Sequence, residues 1–307
     1  MAMIIFCGGC TPYVQSTAYK VMFIPKSQIS NFWKVAINGF NTAIAEYNME
    51  GELRSTLDEE DIEGQIDIVN QAIEEKFDAI IISSIGYEEL APAIERAISE
   101  NIKVIVIDSD VNAPSVKVRI STDNFAAGYK MGQKMAEMMR FKGTIGMLTF
   151  DENTENSAKR ISGFTTAIEK HKNIQIKYNV VTKSTEGESQ AKAEQMIRNN
   201  PDLDGMVAFN EIISLGMGRS VEKLHREDLI CVGFDNNTEL IDYLENGVMD
   251  VLVLQNQYAM GYLGVKYAFD SLSQKTSKAS NIDTGVYIVT KDNMYNPNMQ
   301  TALFPFE

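Results

Sequence analysis

The chain has 307 residues, more than the roughly 250 to 300 at which a single hydrophobic core stops growing, so two cores are expected. Hydrophobic residues at 44% and charged residues at 23% are ordinary for a folded soluble protein. With 28 Lys+Arg against 42 Asp+Glu the formal charge is −14, which argues against a nucleic-acid partner, because phosphate binding needs clustered cations.

Close to its start the chain reads MIIFCGGCTPYVQS, within which Met3 to Phe6 read as the end of an apolar signal core. Gly8-Gly9-Cys10 resembles the close of a bacterial lipoprotein signal, in which the cysteine becomes lipidated. The basic start of such a signal is absent and the apolar run is short, so residues 1–18 are expected to be a truncated signal or anchor region. Cys7 and Cys10 also form a CxxC pair, the pattern of redox or zinc chemistry. No second CxxC exists, however, and the two histidines, His171 and His225, lie in charged stretches that read as solvated helix faces. No metal site and no cofactor are therefore expected. No run approaches about 18 consecutive apolar residues, so no membrane-spanning helix is expected, and a lipidated chain would be anchored outside the cytoplasm rather than spanning.

From Tyr19 onward, strand-like and helix-like stretches alternate. An apolar strand over 20–24 leads to a helix over 32–47, whose Val35, Ile37, Phe40, Ile44 and Tyr47 make one apolar face. A short strand near Leu53, a helix over 61–75 and a strand over 79–82 follow. A helix over 88–99 and a strand over 104–107 continue the repeat. Short continuous apolar strands of this kind imply a parallel sheet covered on both faces. At 116–123 the rhythm breaks: VKVRISTD alternates apolar and polar residues, as a strand at an edge or crossing between two bodies would. The alternation then resumes, with helices over 124–139, 156–169, 188–199, 211–224, 238–245 and 258–271. Between them lie strands over 144–149, 174–181, 205–209, 229–234 and 251–254. Cys231 falls inside one of these strands and reads as a small buried hydrophobe. A last alternating strand over 285–290 precedes a polar, Asn-rich tail. The fold class is α/β, and two doubly wound parallel-sheet lobes account for this count better than one very large sheet.

In open parallel sheets the ligand crevice lies beyond the carboxyl ends of the strands, so the informative residues are those that stop the apolar runs. KVIVID stops at Asp108, GMVAFN at Asn210, LICVGFD at Asp235 and DVLVLQ at Gln255. Asn156 and Arg160 are spaced to share one face at the opening turn of a helix, and Phe32 and Trp33 stand at the mouth of the first strand. Carboxylates, amides and a guanidinium are the groups that pair with sugar hydroxyls, each both donor and acceptor, while aromatic faces pack on the C–H side of a sugar ring. Each residue also has a plainer reading. Asp and Asn at strand ends commonly cap the next helix, Gln255 could be a loop residue, Phe32 and Trp33 could be core, and Arg160 could form a surface ion pair. Their convergence on strand ends supports a small-molecule crevice and does not by itself identify carbohydrate.

The stretches NFWKVAINGF, VIVIDSDVNAP, ISTDNFAAGYKMG, MVAFNEIISLGMGRSV and VGFDNNTELIDYLENG resemble the type I periplasmic sugar-binding proteins, the ribose, xylose and galactose receptor group. The resemblance runs from about Tyr19 to the C-terminus. It implies two α/β lobes closing on a sugar, with hinge crossings near Thr122-Asp123, Gln255-Asn256 and Thr284-Gly285. Residues 19–122 with 256–284 would form the N-terminal lobe, and 123–255 with 285–307 the C-terminal lobe. It also implies ligand contacts: Phe32 and Trp33 stack on the sugar, and Asp108, Asn210, Asp235 and Gln255 bind hydroxyls. Asn156 and Arg160 reach the ring from the second lobe, and Lys26 adds a polar contact. Two features depart from the family pattern. Ser109 stands where an Arg usually follows Asp108, and the second stacking aromatic is absent unless Phe150 or Phe234 replaces it. The implied ligand is a monosaccharide, a pentose such as xylose or ribose ahead of hexoses. The implied partner is a membrane ABC permease or, as in some Gram-positive xylose-sensing relatives, the sensor domain of a histidine kinase.

Two other classes fit less well. A lac-repressor-type regulator needs a DNA-binding headpiece before the first strand, and the acidic charge speaks against it. An enzyme would need a phosphate loop, a GxSxG, an HExxH or clustered metal ligands, and the sequence contains none of these motifs.

Overall fold

The computed structural model describes residues 18–57, 59–150, 154–275 and 280–304. Cys7 and Cys10 lie outside the described residues. The first body opens with β1 (Lys20–Ile24), α1 (Asn31–Glu46), β2 (Glu50–Leu53) and α2 (Ile62–Glu74). It continues with β3 (Ala79–Ile82), α3 (Ala91–Ser99), β4 (Lys103–Ile107) and β5 (Val118–Ser121). The second body holds α4 (Asn124–Met138), β6 (Gly143–Thr149), α5 (Glu155–Ile168), β7 (Ile174–Val181) and α6 (Glu186–Asn199). After these come β8 (Gly205–Ala208), α7 (Glu211–Leu224), β9 (Ile230–Phe234), α8 (Thr238–Asn246) and β10 (Val251–Gln255). The chain then returns to the first body for α9 (Gln257–Leu272) and β11 (Ser280–Asp283), and ends in the second with β12 (Val286–Thr290) and α10 (Pro297–Leu303).

Among the described residues there are two six-stranded sheets, ordered β11-β5-β4-β3-β1-β2 and β12-β10-β9-β8-β6-β7. All pairings in the first are parallel, and β12 alone runs antiparallel in the second, against β10. Both faces of the first sheet are covered: Val21, Phe23 and Ile81 pack under α1 and α9, while Met22, Ile80 and Ile82 pack under α2 and α3. Strands β3, β8 and β10 are fully buried and β1 is buried beyond Lys20, which is why they read as continuous apolar runs. In both sheets the order reverses next to the first strand of the body, between β1 and β3 and between β6 and β8. Such switch points open a crevice at the carboxyl ends of the strands.

Four features differ from the sequence reading. The helix expected over 88–99 begins at Ala91, with Pro92 in its first turn, where the absent proline N–H costs nothing. β11, with the sequence SNID, carries no apolar run and exists as a strand because it pairs with β5 at the sheet edge. The last strand starts at Val286, after Gly285 turns the chain at φ +72. The Asn-rich tail contains α10, a helix of 7 residues whose Leu303 is buried in the second core.

Glycines set the helix spacing in both bodies. α1 lies against α9, and a Cβ on Gly39 or Gly261 would strike the carbonyl of Tyr258 or Ala36 on the facing helix. α4 lies against α5 in the same way, with Gly128 against the Arg160 carbonyl and Gly163 against that of Phe125. Gly128→Ala is expected to destabilise the protein by about 1–3 kcal/mol in denaturant unfolding, since overpacking must push the Arg160 backbone aside. Gly187→Ala, whose Cβ meets nothing within 4 Å, is the control and should be neutral or stabilise by up to ~1 kcal/mol.

Candidate functional site

The carboxyl ends of the two sheets face each other across a cleft. Lys26, Phe32, Trp33 and Asp108 line it from the first body, and Asn156, Arg160, Asn210, Asp235 and Gln255 from the second. Every candidate named from the sequence within the described residues is thus brought to one place.

Arg160 organises the second wall. Its guanidinium is almost fully buried and donates from Nε to Asn124 Oδ1 (2.8 Å), from Nη1 to the Phe209 carbonyl (2.9 Å) and from Nη2 to Gln255 Oε1 (3.0 Å). It also lies 3.9 Å from the centroid of the Phe234 ring. Gln255 in turn donates from Nε2 to Asp235 Oδ1 (3.0 Å). A surface ion pair is excluded for Arg160, and Gln255 is a bridge rather than a loop residue. Burial lowers the pKa of the Arg160 guanidinium, and Asp235 and Asp108 act in the opposite direction. Burial pushes the Asp235 carboxyl up to about 7, although Arg160 and the Gln255 hydrogen bond pull it down.

The two strand-end aspartates share an unusual backbone. Asp108 has φ +56 and Asp235 φ +64, a left-handed conformation that Asp adopts more readily than most residues. Neither caps a helix: Asp108 accepts from Ser83 Oγ (3.0 Å), and the cap of α8 is Asn237, whose Oδ1 accepts from Leu240 N–H. Asn210 does cap α7, accepting from Ile213 N–H, while its Nδ2 donates to Ser184 Oγ. Both readings of Asn210 therefore apply at once. Asn156 Oδ1 accepts from Ser157 N–H, and the Lys26 carbonyl accepts from Thr56 Oγ1.

Phe32 and Trp33 meet edge to face, with centroids 4.7 Å apart, and both belong to the core under β1 as well as to the cleft wall. The Trp33 indole N–H donates to Glu59 Oε1 (2.9 Å), which fixes the ring. Of the two substitute aromatics, Phe150 lines the cleft, while Phe234 lies beneath Arg160 with no exposed surface.

Sequence reasoning missed Ser30, Glu59, Ser184, Glu211 and Ile212, which also line the cleft, and Asn124, which anchors Arg160. Glu211 is the consequential omission. It directly follows Asn210, yet its carboxylate accepts backbone N–H groups from the opposite body. Burial raises its pKa against the pull of those donors. Among the described residues no group of His, Cys, Asp and Glu is arranged to hold a metal ion. Cys231 is buried and its thiol is pushed up by desolvation, in keeping with a core role.

Cleft walls of carboxylates, amides, hydroxyls and a guanidinium, with aromatic rings beside them, suit a compact polyhydroxyl ligand. The periplasmic binding protein domain family matches residues 21–276, and the chain belongs to that family. It is 24% identical to a D-apiose import binding protein of Actinobacillus succinogenes over 62% of this chain and 61% of that one. It is 25% identical to a D-ribose/D-allose-binding protein of Pseudomonas aeruginosa over 88% of each chain. The chain thus spans about three fifths of the first relative's length and most of the second's. Among solved structures, a solute binding protein of an ABC transporter from Agrobacterium vitis with bound D-fucose superposes with a TM-score of 0.88. It shares 28% identity, over 92% of this chain and 99% of that one.

The Asp235 carboxyl makes a testable contribution to stability. Its pKa is raised from 3.8 to about 7 on folding, so between those values the folded protein holds a proton that the unfolded chain releases. Stability from this group is present below the unfolded value and is lost as pH rises through the folded one. The ligand-free melting point should therefore fall more steeply from about pH 5 to about pH 7 in wild type than in Asp235→Asn. Parallel curves for the two proteins would mean that the carboxyl is ionised throughout.

Proposed function

We propose that the protein is an extracytoplasmic receptor, not an enzyme, that closes on a monosaccharide in the interlobe cleft and presents the closed form to a membrane ABC permease. The observation that carries this reading is the meeting of strand-end polar groups and a braced aromatic pair in one cleft at the switch points of both sheets. Asp108, Asn210, Asp235 and Gln255 serve the hydroxyls, Asn156, Arg160 and Lys26 add polar contacts, and Phe32 and Trp33 hold the ring. A pentose is the favoured ligand, ribose or xylose first; apiose and ribose, named in two relatives, are both pentoses. The family's periplasmic setting supports a location outside the cytoplasm. No described helix is long and apolar enough to cross a membrane, and anchoring would fall to Cys10, outside the described residues.

Residues 19–122 with 256–284 and residues 123–255 with 285–307 act as the two lobes, bending at the three crossings. Closure changes the surface that both lobes form together, and the partner responds by preferring that state.

The test is a thermal melt against D-ribose, D-xylose, D-apiose, D-arabinose and common hexoses. Binding to the native state stabilises by about 4 kcal/mol at a thousandfold excess over Kd, which raises the melting point visibly. The expected result is a shift with at least one pentose, abolished in Asp235→Ala. No shift with any sugar, or undiminished affinity in Asp235→Ala, would overturn the assignment.

A further inference from the structure

Helix α1 begins without a cap of its own. Ser30 occupies its N-cap position but makes no side-chain capping hydrogen bond, and its first turn contains no acidic residue. By contrast α2, α4, α7, α8 and α9 are each capped by an Asp or Asn immediately before them. The leading N–H groups of α1 are met instead from across the cleft. Glu211 Oε2 accepts from Phe32 N–H (3.1 Å) and Oε1 from Asn31 N–H (3.4 Å). Asn237 Nδ2 donates to the same Oε1 (3.1 Å) and steadies the carboxylate within its own lobe. A second link runs the other way, from Asn31 Nδ2 to the Asn236 carbonyl (3.1 Å). The Asn236 side chain, in turn, is buried and donates to the Leu303 carbonyl (2.8 Å).

We propose that Glu211 is the latch of the closed receptor, a positioning residue that caps α1 in trans and holds the Phe32–Trp33 platform over the cleft. The proposal rests on the receptor reading above. A carboxylate at a helix N-terminus meets both unsatisfied donors and the positive end of the helix dipole. Both partners belong to different lobes, so these bonds exist only while the cleft is shut. When the lobes part, the α1 donors and the Glu211 carboxylate return to water. The latch therefore sets how long a closed receptor stays closed, and has little bearing on how fast a sugar first reaches the open cleft. Because it grips the Phe32 backbone, it also ties closure to the ring that faces the ligand.

Trp33, the single tryptophan of the chain, supplies a fluorescence signal at this point. The experiment is stopped-flow binding with D-ribose or D-xylose, whichever raises the melting point, on wild type, Glu211→Gln and Asn31→Ala. Gln keeps the volume but replaces one acceptor by a donor facing α1. Glu211→Gln is expected to raise the dissociation rate roughly tenfold, equivalent to about 1.4 kcal/mol, and to leave the association rate within about twofold. Its sugar-free melting point should match wild type, and Asn31→Ala should show a smaller rise in dissociation rate. An unchanged dissociation rate in Glu211→Gln overturns the latch. A lowered sugar-free melting point with unchanged dissociation would instead place the role of Glu211 inside its own lobe, through Asn237. If no sugar binds wild type, the receptor reading fails first. The latch rests on that reading and is then overturned with it.

Discussion

A buried guanidinium cannot be left without partners, and the second lobe is built around that constraint. Arg160 is nine-tenths or more enclosed, and each of its donors that turns inward finds an acceptor on a different element: Asn124 at the start of α4, the Phe209 carbonyl after β8, and Gln255 at the end of β10. Desolvating a cation costs several kcal/mol, and hydrogen-bonded acceptors with nearby carboxylates must offset it. The need to satisfy this one side chain thus fixes the relative positions of three strand or helix ends. Two of those ends, at Asn124 and Gln255, adjoin points where the chain passes between the bodies. The same network delivers Gln255 to Asp235, so the electrostatics of the cleft and its geometry have a common origin.

The glycine contacts between α4 and α5 belong to this picture. Gly128 lets α4 approach the Arg160 backbone, and without that approach Asn124 could not reach Nε. The first lobe repeats the device with Gly39 and Gly261, which draw α9 onto α1 just behind Phe32 and Trp33. Two helix pairs, one in each lobe, therefore back the two walls of the cleft. The aspartates that stop β4 and β9 adopt the same left-handed turn, a conformation that costs more for most side chains than for Asp. Backbone of this kind persists where surrounding structure holds it, and at both positions the N–H is engaged by a neighbouring strand.

Much of the site was legible because a parallel sheet delivers its functional groups by rule. An apolar run ends where the strand leaves the core, and the residue that ends it faces the crevice. Asp108, Asn210, Asp235 and Gln255 could be named on that ground alone. Their finer distinctions could not. Asn210 is a cap and a wall at once, while Asp235 leaves capping to Asn237, and nothing in either short stretch separates the two cases. β11 and α10 were missed for a related reason. SNID is a strand only through its partner β5, and α10 is a single short helix whose one buried side chain, Leu303, depends on the second core.

The sequence by itself determined the order of strands and helices other than β11 and α10, their burial on both faces, and the chemical character of the strand ends. Periodicity and the point where an apolar run stops are local properties, written within a few residues. Only the tertiary structure decided which groups meet. Glu211 and Phe32 are 179 residues apart, and Arg160 and Gln255 are 95. No local pattern marks Glu211 as the acceptor for a helix in the other lobe, since at the start of α7 it reads as an ordinary first-turn acid. That role depends on the approach of the lobes, a matter of packing and chain crossing rather than of composition or spacing.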